Sequence, residues 1–119
     1  MQFDHAVIMV CDLDASLPWY AAVLAALGFE KTRDHVWVNE AGQGLDLKQA
    51  EDIDTPYRRR GIGLNHFAVR ADSHAALDEV AAKVAAAGFE VPAFQDFGPE
   101  RALFLKDPDG MRIEVVSYG

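Results

Sequence analysis

The sequence predicts an α+β protein made of two βαβββ modules, each with a helix covering one face of its sheet. Three observations predict this. The chain repeats: DHAVIMV at residues 4–10 is answered by NHFAVRA at 65–71, and GFE triplets follow at 28–30 and 88–90. His5 and His66 are 61 residues apart and the triplets 60 apart, so the repeat needs a one-residue adjustment. Each half also holds one run with helical apolar spacing and several short alternating runs bounded by turn residues.

Residues 3–10 are apolar and rich in β-branched side chains, which predicts a strand. Asp14 or Ser16 can cap the next element, and Pro18 fits a first helical turn, where its missing N–H costs little. Leu17, Tyr20, Leu24 and Leu27 fall on one helical face, and Gly28 stops the helix. Phe29–Arg33, Val36–Asn39 and Leu45–Gln49 read as three short strands. Residues 50–63 are polar with Pro and Gly, and read as a linker between modules 1–49 and 64–119 of a single domain. The second module repeats the order. Leu64–Arg70 is a strand, Ser73 or Asp72 a cap, and Leu77, Val80, Val84 and Ala87 the apolar face before Gly88. Phe89–Phe94, Ala102–Lys106 and Arg112–Ser117 close it as strands. The turn Asp107-Pro108-Asp109-Gly110 has Pro where φ is near −65° and Gly where φ can be positive.

Composition narrows the function classes. In 119 residues, half are hydrophobic, a quarter are charged and the net charge is −8. That charge would repel a phosphate backbone, so no nucleic-acid partner is expected. A single cysteine, Cys11, allows no internal disulfide, and no apolar run or signal-peptide pattern suggests a membrane. A cytoplasmic protein acting on a small molecule is the expectation.

Strand parity places the chemistry. Alternate residues of a strand face opposite sides. His5 shares a face with Phe3, Val7 and Met9, and His66 with Leu64, Ala68 and Arg70. Glu114 shares a face with Arg112, Val116 and Tyr118. Aligning Gly110–Glu114 with Gly42–Asp46 puts Asp46 where Glu114 falls in its own repeat. The apolar alternates of all four strands can pack under a helix. Both histidines and both carboxylates are left on the other face, which could form a cavity. A lone strand histidine is more often structural than metal-bound, but duplicated placement and common parity favour a metal here.

These segments, DHAVIMVCDLDASLPWY, LNHFAVRA and FLKDPDGMRIEVV, resemble the vicinal oxygen chelate superfamily over essentially the whole chain. That superfamily includes glyoxalase I, fosfomycin-resistance enzymes, extradiol dioxygenases and bleomycin-binding proteins. The resemblance implies two βαβββ modules forming curved mixed sheets in a half-barrel, frequent dimerisation (hence a homodimer) and a metal site of His5, Asp46, His66 and Glu114. Asp46 departs from the pattern, because glyoxalase-like members usually carry a longer Glu, Gln or His there. Dioxygenase and fosfomycin-type sites use only the other three.

Imidazole and carboxylate suit Zn, Ni, Co, Mn or Fe as the divalent ion. Such an ion with open positions polarises a carbonyl or binds adjacent oxygens. The leading expectation is therefore a metal-dependent glyoxalase-like lyase or isomerase acting on a small oxygenated or carbonyl substrate. Glu114 and Asp46 are its candidate catalytic groups, with Asp46 a fourth ligand or nearby base. Lys48, Arg70 and Arg112 share the ligand face and are candidate substrate-binding residues; ion pairs at the sheet rim are the ordinary alternative. Two other readings remain: an Fe(II) extradiol-type dioxygenase, and a metal-free protein like the bleomycin-binding members, which sequester a cationic drug. Arg58–Arg60 reads as solvated linker, Trp19 and Tyr20 as core or dimer residues, and Trp37, Phe97 and Phe104 as ordinary packing. His35 and His74 read as loop and helix-start residues. Gly61-Ile62-Gly63 precedes a strand, so it is no dinucleotide fingerprint, and DPDG lacks the spacing of a calcium loop.

Overall fold

Two units appear in the computed structural model, which describes residues 1–119: Met1–Pro56 and Tyr57–Gly119. In the first, β1 (His5–Val10) leads into α1 (Leu13–Ala26), followed by β2 (Glu30–Arg33), β3 (Val36–Val38) and β4 (Gly44–Gln49). In the second, β5 (His66–Arg70) leads into α2 (His74–Ala86), then β6 (Gln95–Phe97), β7 (Glu100–Lys106) and β8 (Arg112–Ser117). The sheets have equivalent orders, β1-β4-β3-β2 and β5-β8-β7-β6. In each, the first strand runs parallel to the last and the remaining pairs are antiparallel. Each unit is thus βαβββ, as the repeat predicts.

The GFE triplets end the helices in the same way. Gly28 and Gly88 have φ of 85° and 90°. The amide of each donates to a carbonyl three residues back, Ala25 or Ala85, at 3.1 and 2.9 Å. The following Phe amides reach Leu24 and Val84 at 2.9 and 3.3 Å. This is a Schellman closure, which satisfies carbonyls otherwise left open and favours glycine at the left-handed position.

The two last strands also start alike. Gly42 donates to Asn39 O, Asn39 N to Gln43 O, and Gln43 N to Asn39 Oδ1. Gly110, Asp107 and Met111 make the same three bonds through Asp107. NEAGQ and DPDGM are therefore one turn in two sequences, and the alignment of Asp46 with Glu114 has a structural basis.

Burial follows the predicted parity except at Val116, which is buried although it shares the Glu114 face. Ile8, Val10, Leu45 and Leu47 are buried in the first unit, as are Ile113 and Val115 in the second. α1 packs on β2 and β4, and α2 on β7 and β8. Tyr20, Val23, Leu24, Leu77 and Val84 are fully buried on the helices, while Val7 and Met9 on the histidine side of β1 are exposed. Trp19 and Trp37 are core residues.

Three expectations need correction. The cap of α1 is Asp12, not Asp14 or Ser16: its Oδ1 accepts from Ala15 N at 3.1 Å, and Ser16 is buried. The helix consequently begins at Leu13, and Pro18 lies in its second turn. Phe89–Phe94 is not a strand; pairing with β7 begins only at Gln95. Pro92 interrupts that segment and has no N–H to give a ladder. The strands bearing the histidines start at His5 and His66 rather than at Phe3 and Leu64.

Candidate metal site

Register sets the site. In the first unit His5 pairs with Gly44 and Val7 with Asp46; in the second His66 pairs with Arg112 and Ala68 with Glu114. Each carboxylate therefore lies two residues along the neighbouring parallel strand from its histidine's partner. The second unit brings the pair together, with His66 Nε2 2.9 Å from Glu114 Oε2.

The other ring nitrogen decides what this contact means. Asn65 Nδ2 donates to the Arg59 carbonyl at 2.9 Å, which turns Asn65 Oδ1 toward His66 Nδ1 at 2.6 Å. Nδ1 therefore carries the proton, an assignment made from the hydrogen-bond network. Nε2 faces a carboxylate oxygen, and the Glu114 side chain is only 12% exposed. Two Lewis bases at that distance require a positive charge between them, either a proton or a metal ion. The separation also suits adjacent ligands, which lie about 3 Å apart around a six-coordinate ion with bonds of about 2.1 Å.

The first unit repeats the orienting contact. His5 Nδ1 lies 2.6 Å from Asp4 Oδ2, so its Nε2 is the ring nitrogen left open. His5 and Asp46 line one cavity of about 300 Å³ with Val36, Val38 and Gly44. Asp46 Oδ2 is 4.0 Å from Lys48 Nζ. No group of three or more His, Cys, Asp or Glu side chains gathers to hold a metal. The donor set fits a transition ion in kind, and His66 with Glu114 also fits in spacing.

The predicted substrate residues separate. Lys48 is largely exposed beside Asp46. Arg70 lies over the Tyr118 ring, 4.6 Å from its centroid. Arg112 lies over the Phe104 ring at 4.5 Å, with its Nε buried and without a hydrogen-bond partner. Its pKa is lowered, first by burial and then by the neighbouring Arg59 guanidinium. Phe104 also meets the His66 ring edge-on at 5.5 Å, so it serves the site rather than the core.

The family model of the glyoxalase/bleomycin resistance protein/dioxygenase superfamily matches residues 2–115. The chain belongs to this superfamily. It is 29% identical to the uncharacterized protein YqjT of Bacillus subtilis, over 95% of this chain and 96% of that protein. A crystal structure of a glyoxalase candidate from Bacillus halodurans superposes with a TM-score of 0.80 at 26% identity, covering 97% of this chain and 94% of that one. A superfamily domain from Frankia sp. EAN1pec gives 0.79 at 21%, covering 98% and 91%. The same fold is seen in lactoylglutathione lyase of Agrobacterium tumefaciens (0.65, 22%) and fosfomycin resistance protein FosX of Listeria monocytogenes (0.71, 17%). These two cover 98% of this chain, and it covers 92% and 93% of them.

Strand parity put His66 and Glu114 on one face, where they meet, but Asp4, Asn65 and Arg59 escaped it. A signal for the first two was present, because an Asx residue precedes the histidine in both halves (DHAV and NHFA). Arg59 carried none beyond its charge. It was grouped with a solvated run, yet it is half-buried and lines the Arg112 cavity, while Arg58 and Arg60 are exposed.

Proposed function

We propose that this protein is a divalent-metal-dependent enzyme of the glyoxalase-like lyase or isomerase type, acting on a small oxygenated or carbonyl substrate. The observation that carries the reading is the approach of His66 Nε2 and Glu114 Oε2 to 2.9 Å. His66 and Glu114 are the proposed metal-binding pair of the second unit, and His5 and Asp46 the candidate pair of the first. When bound, the ion would supply Lewis-acid polarisation of a carbonyl or of two adjacent oxygens. The chain's own groups do the rest. Asn65 holds the imidazole in the tautomer that ligation needs, the role outer hydrogen bonds play at metal-bound histidines. The Phe104 ring excludes water from one side of the imidazole.

The assignment is tested by metal analysis and titration of protein purified without an affinity tag. Tight uptake of about one equivalent is expected, with loss of binding but retention of fold in His66→Ala and Glu114→Gln. Less than about a tenth of an equivalent, with no tight uptake on titration, would sink the proposal. Turnover with Zn, Ni or Co supports the lyase or isomerase chemistry. Oxygen consumption with catechols, requiring Fe or Mn, would move it to the dioxygenase type. The cations beside His66 weigh against a binding protein for a cationic drug, although the chain as a whole is acidic.

A further inference from the structure

A cavity of about 270 Å³ in the second unit concentrates positive charge in a chain whose net charge is −8. Arg59, Lys106 and Arg112 line it, with Glu90 as the sole carboxylate and Phe104 beneath the Arg112 guanidinium. Elsewhere on the same sheet an arginine finds acidic partners: Arg101 is 3.0 Å from Asp78 and 3.9 Å from Asp96. Both arginines lie over a ring, Arg101 over Phe94 and Arg112 over Phe104, but Arg112 has a buried, unpartnered Nε in place of acidic partners. A buried guanidinium Nε without an acceptor is costly, more so among like charges.

The repeat shows that the fold does not require these residues. The position of Arg112 is taken by Gly44 in the first unit, since His5 pairs with Gly44 as His66 pairs with Arg112. Lys106 and Phe104 oppose Arg112 and Glu114, and their counterparts opposing Gly44 and Asp46 are Val38 and Val36. One unit builds this surface from Gly and two Val, the other from Arg, Lys and Phe. The cationic set is therefore an addition to the common scaffold.

We propose that Arg112, Arg59 and Lys106 form a subsite for the carboxylate or phosphoryl group of an anionic substrate. Guanidinium groups bind both through paired charge-assisted hydrogen bonds. The cavity is slightly below the roughly 300–1,000 Å³ usual for drug-sized ligands, which suits a small anion. Arg112 precedes Glu114 by two residues on one strand face, about 6–7 Å along the strand. An anionic group held there would lie a few bonds from oxygens at the His66–Glu114 pair. The substrate class so defined rests on the proposed metal-dependent function; anion binding itself does not.

The test uses the full chain stripped of metal, titrated at low salt with inorganic phosphate and, separately, with acetate. Amide chemical shifts and calorimetry provide the readout. Saturable binding of at least one anion is expected, with shifts centred on Arg59, Lys106 and Arg112. The tighter probe identifies the group as phosphoryl or carboxylate. Arg112→Gln and Arg59→Gln should each weaken binding about tenfold or more. Arg59→Gln keeps the backbone carbonyl that holds Asn65, and Lys83→Gln on exposed α2 should change nothing. Failure of both anions to bind below about 50 mM, or equal weakening by all three variants, overturns the subsite. Phosphate binding that survives in His66→Ala supports it independently of metal. If metal uptake fails while anion binding persists, only the enzymatic reading falls; the converse removes only the subsite.

Discussion

Asn65 shows how a single side chain sets the chemistry of another. Its amide spans the Arg59 carbonyl and the His66 ring, so the ring's tautomer is fixed by a loop residue outside the strand. Asn65→Ala removes both contacts and frees the imidazole to rotate. Metal affinity is expected to fall about 10- to 100-fold, the usual cost of losing an outer partner of a metal-bound histidine. Asn65→Asp keeps the acceptor facing Nδ1, as Asp4 does for His5, and should restore most of the affinity. Metal titration of the two variants checks this, and equal affinity in wild type and Asn65→Ala would show that the orienting bond is idle. Arg112 makes the opposite kind of prediction. Its charged form is disfavoured by burial and by Arg59, and arginine stays charged throughout the usable pH range. Neutralising it as Arg112→Gln should therefore leave the melting temperature unchanged or higher while anion binding falls. A clear drop in melting temperature would instead mean that Arg112 is a structural residue.

Helices and turns were the most legible elements, because their signals are local. The apolar spacing before Gly28 and Gly88 and the DPDG turn needed nothing from distant residues. The start of α1 was less clear, since Asp12, Asp14 and Ser16 can all cap and only the backbone selects Asp12. Strand β6 was misplaced because its pairing depends on β7, not on the apolar character of Phe89–Phe94. The repeated helix stops allow a matched pair of tests. A side chain at Gly28 or Gly88 would meet no atom within 4 Å, so only the positive φ opposes it. Gly28→Ala and Gly88→Ala should each cost about 1–2 kcal/mol, the penalty of the left-handed region for a residue with Cβ. Urea unfolding with unchanged m-values is the check. A loss much larger at one site would show that the two closures are not equivalent.

At the scale of the whole molecule, the sequence showed a duplicated scaffold and an acidic balance, and both are properties a linear count can hold. What it could not show is that the duplicates diverge in charge around equivalent positions. The run Arg58-Arg59-Arg60 looks uniform, yet Arg59 alone is half-buried and lines the cavity. Tyr57 helps shape this segment by hydrogen-bonding the Leu64 and Asn65 carbonyls at 2.7 and 2.9 Å. Global repulsion and a local cationic pocket respond to salt with opposite signs. Raising ionic strength from about 0.01 to 1 M shortens the screening length from about 30 to 3 Å. That relieves the self-repulsion of a chain at −8, so the melting temperature should rise with NaCl in both wild type and Arg112→Gln. The same screening weakens attraction between the pocket and phosphate, so the phosphate dissociation constant should rise too. Chloride entering the pocket would add stability in wild type only, which the variant separates. A melting temperature that falls with salt in both proteins would mean that attractive ion pairs, rather than net repulsion, dominate the folded charge distribution.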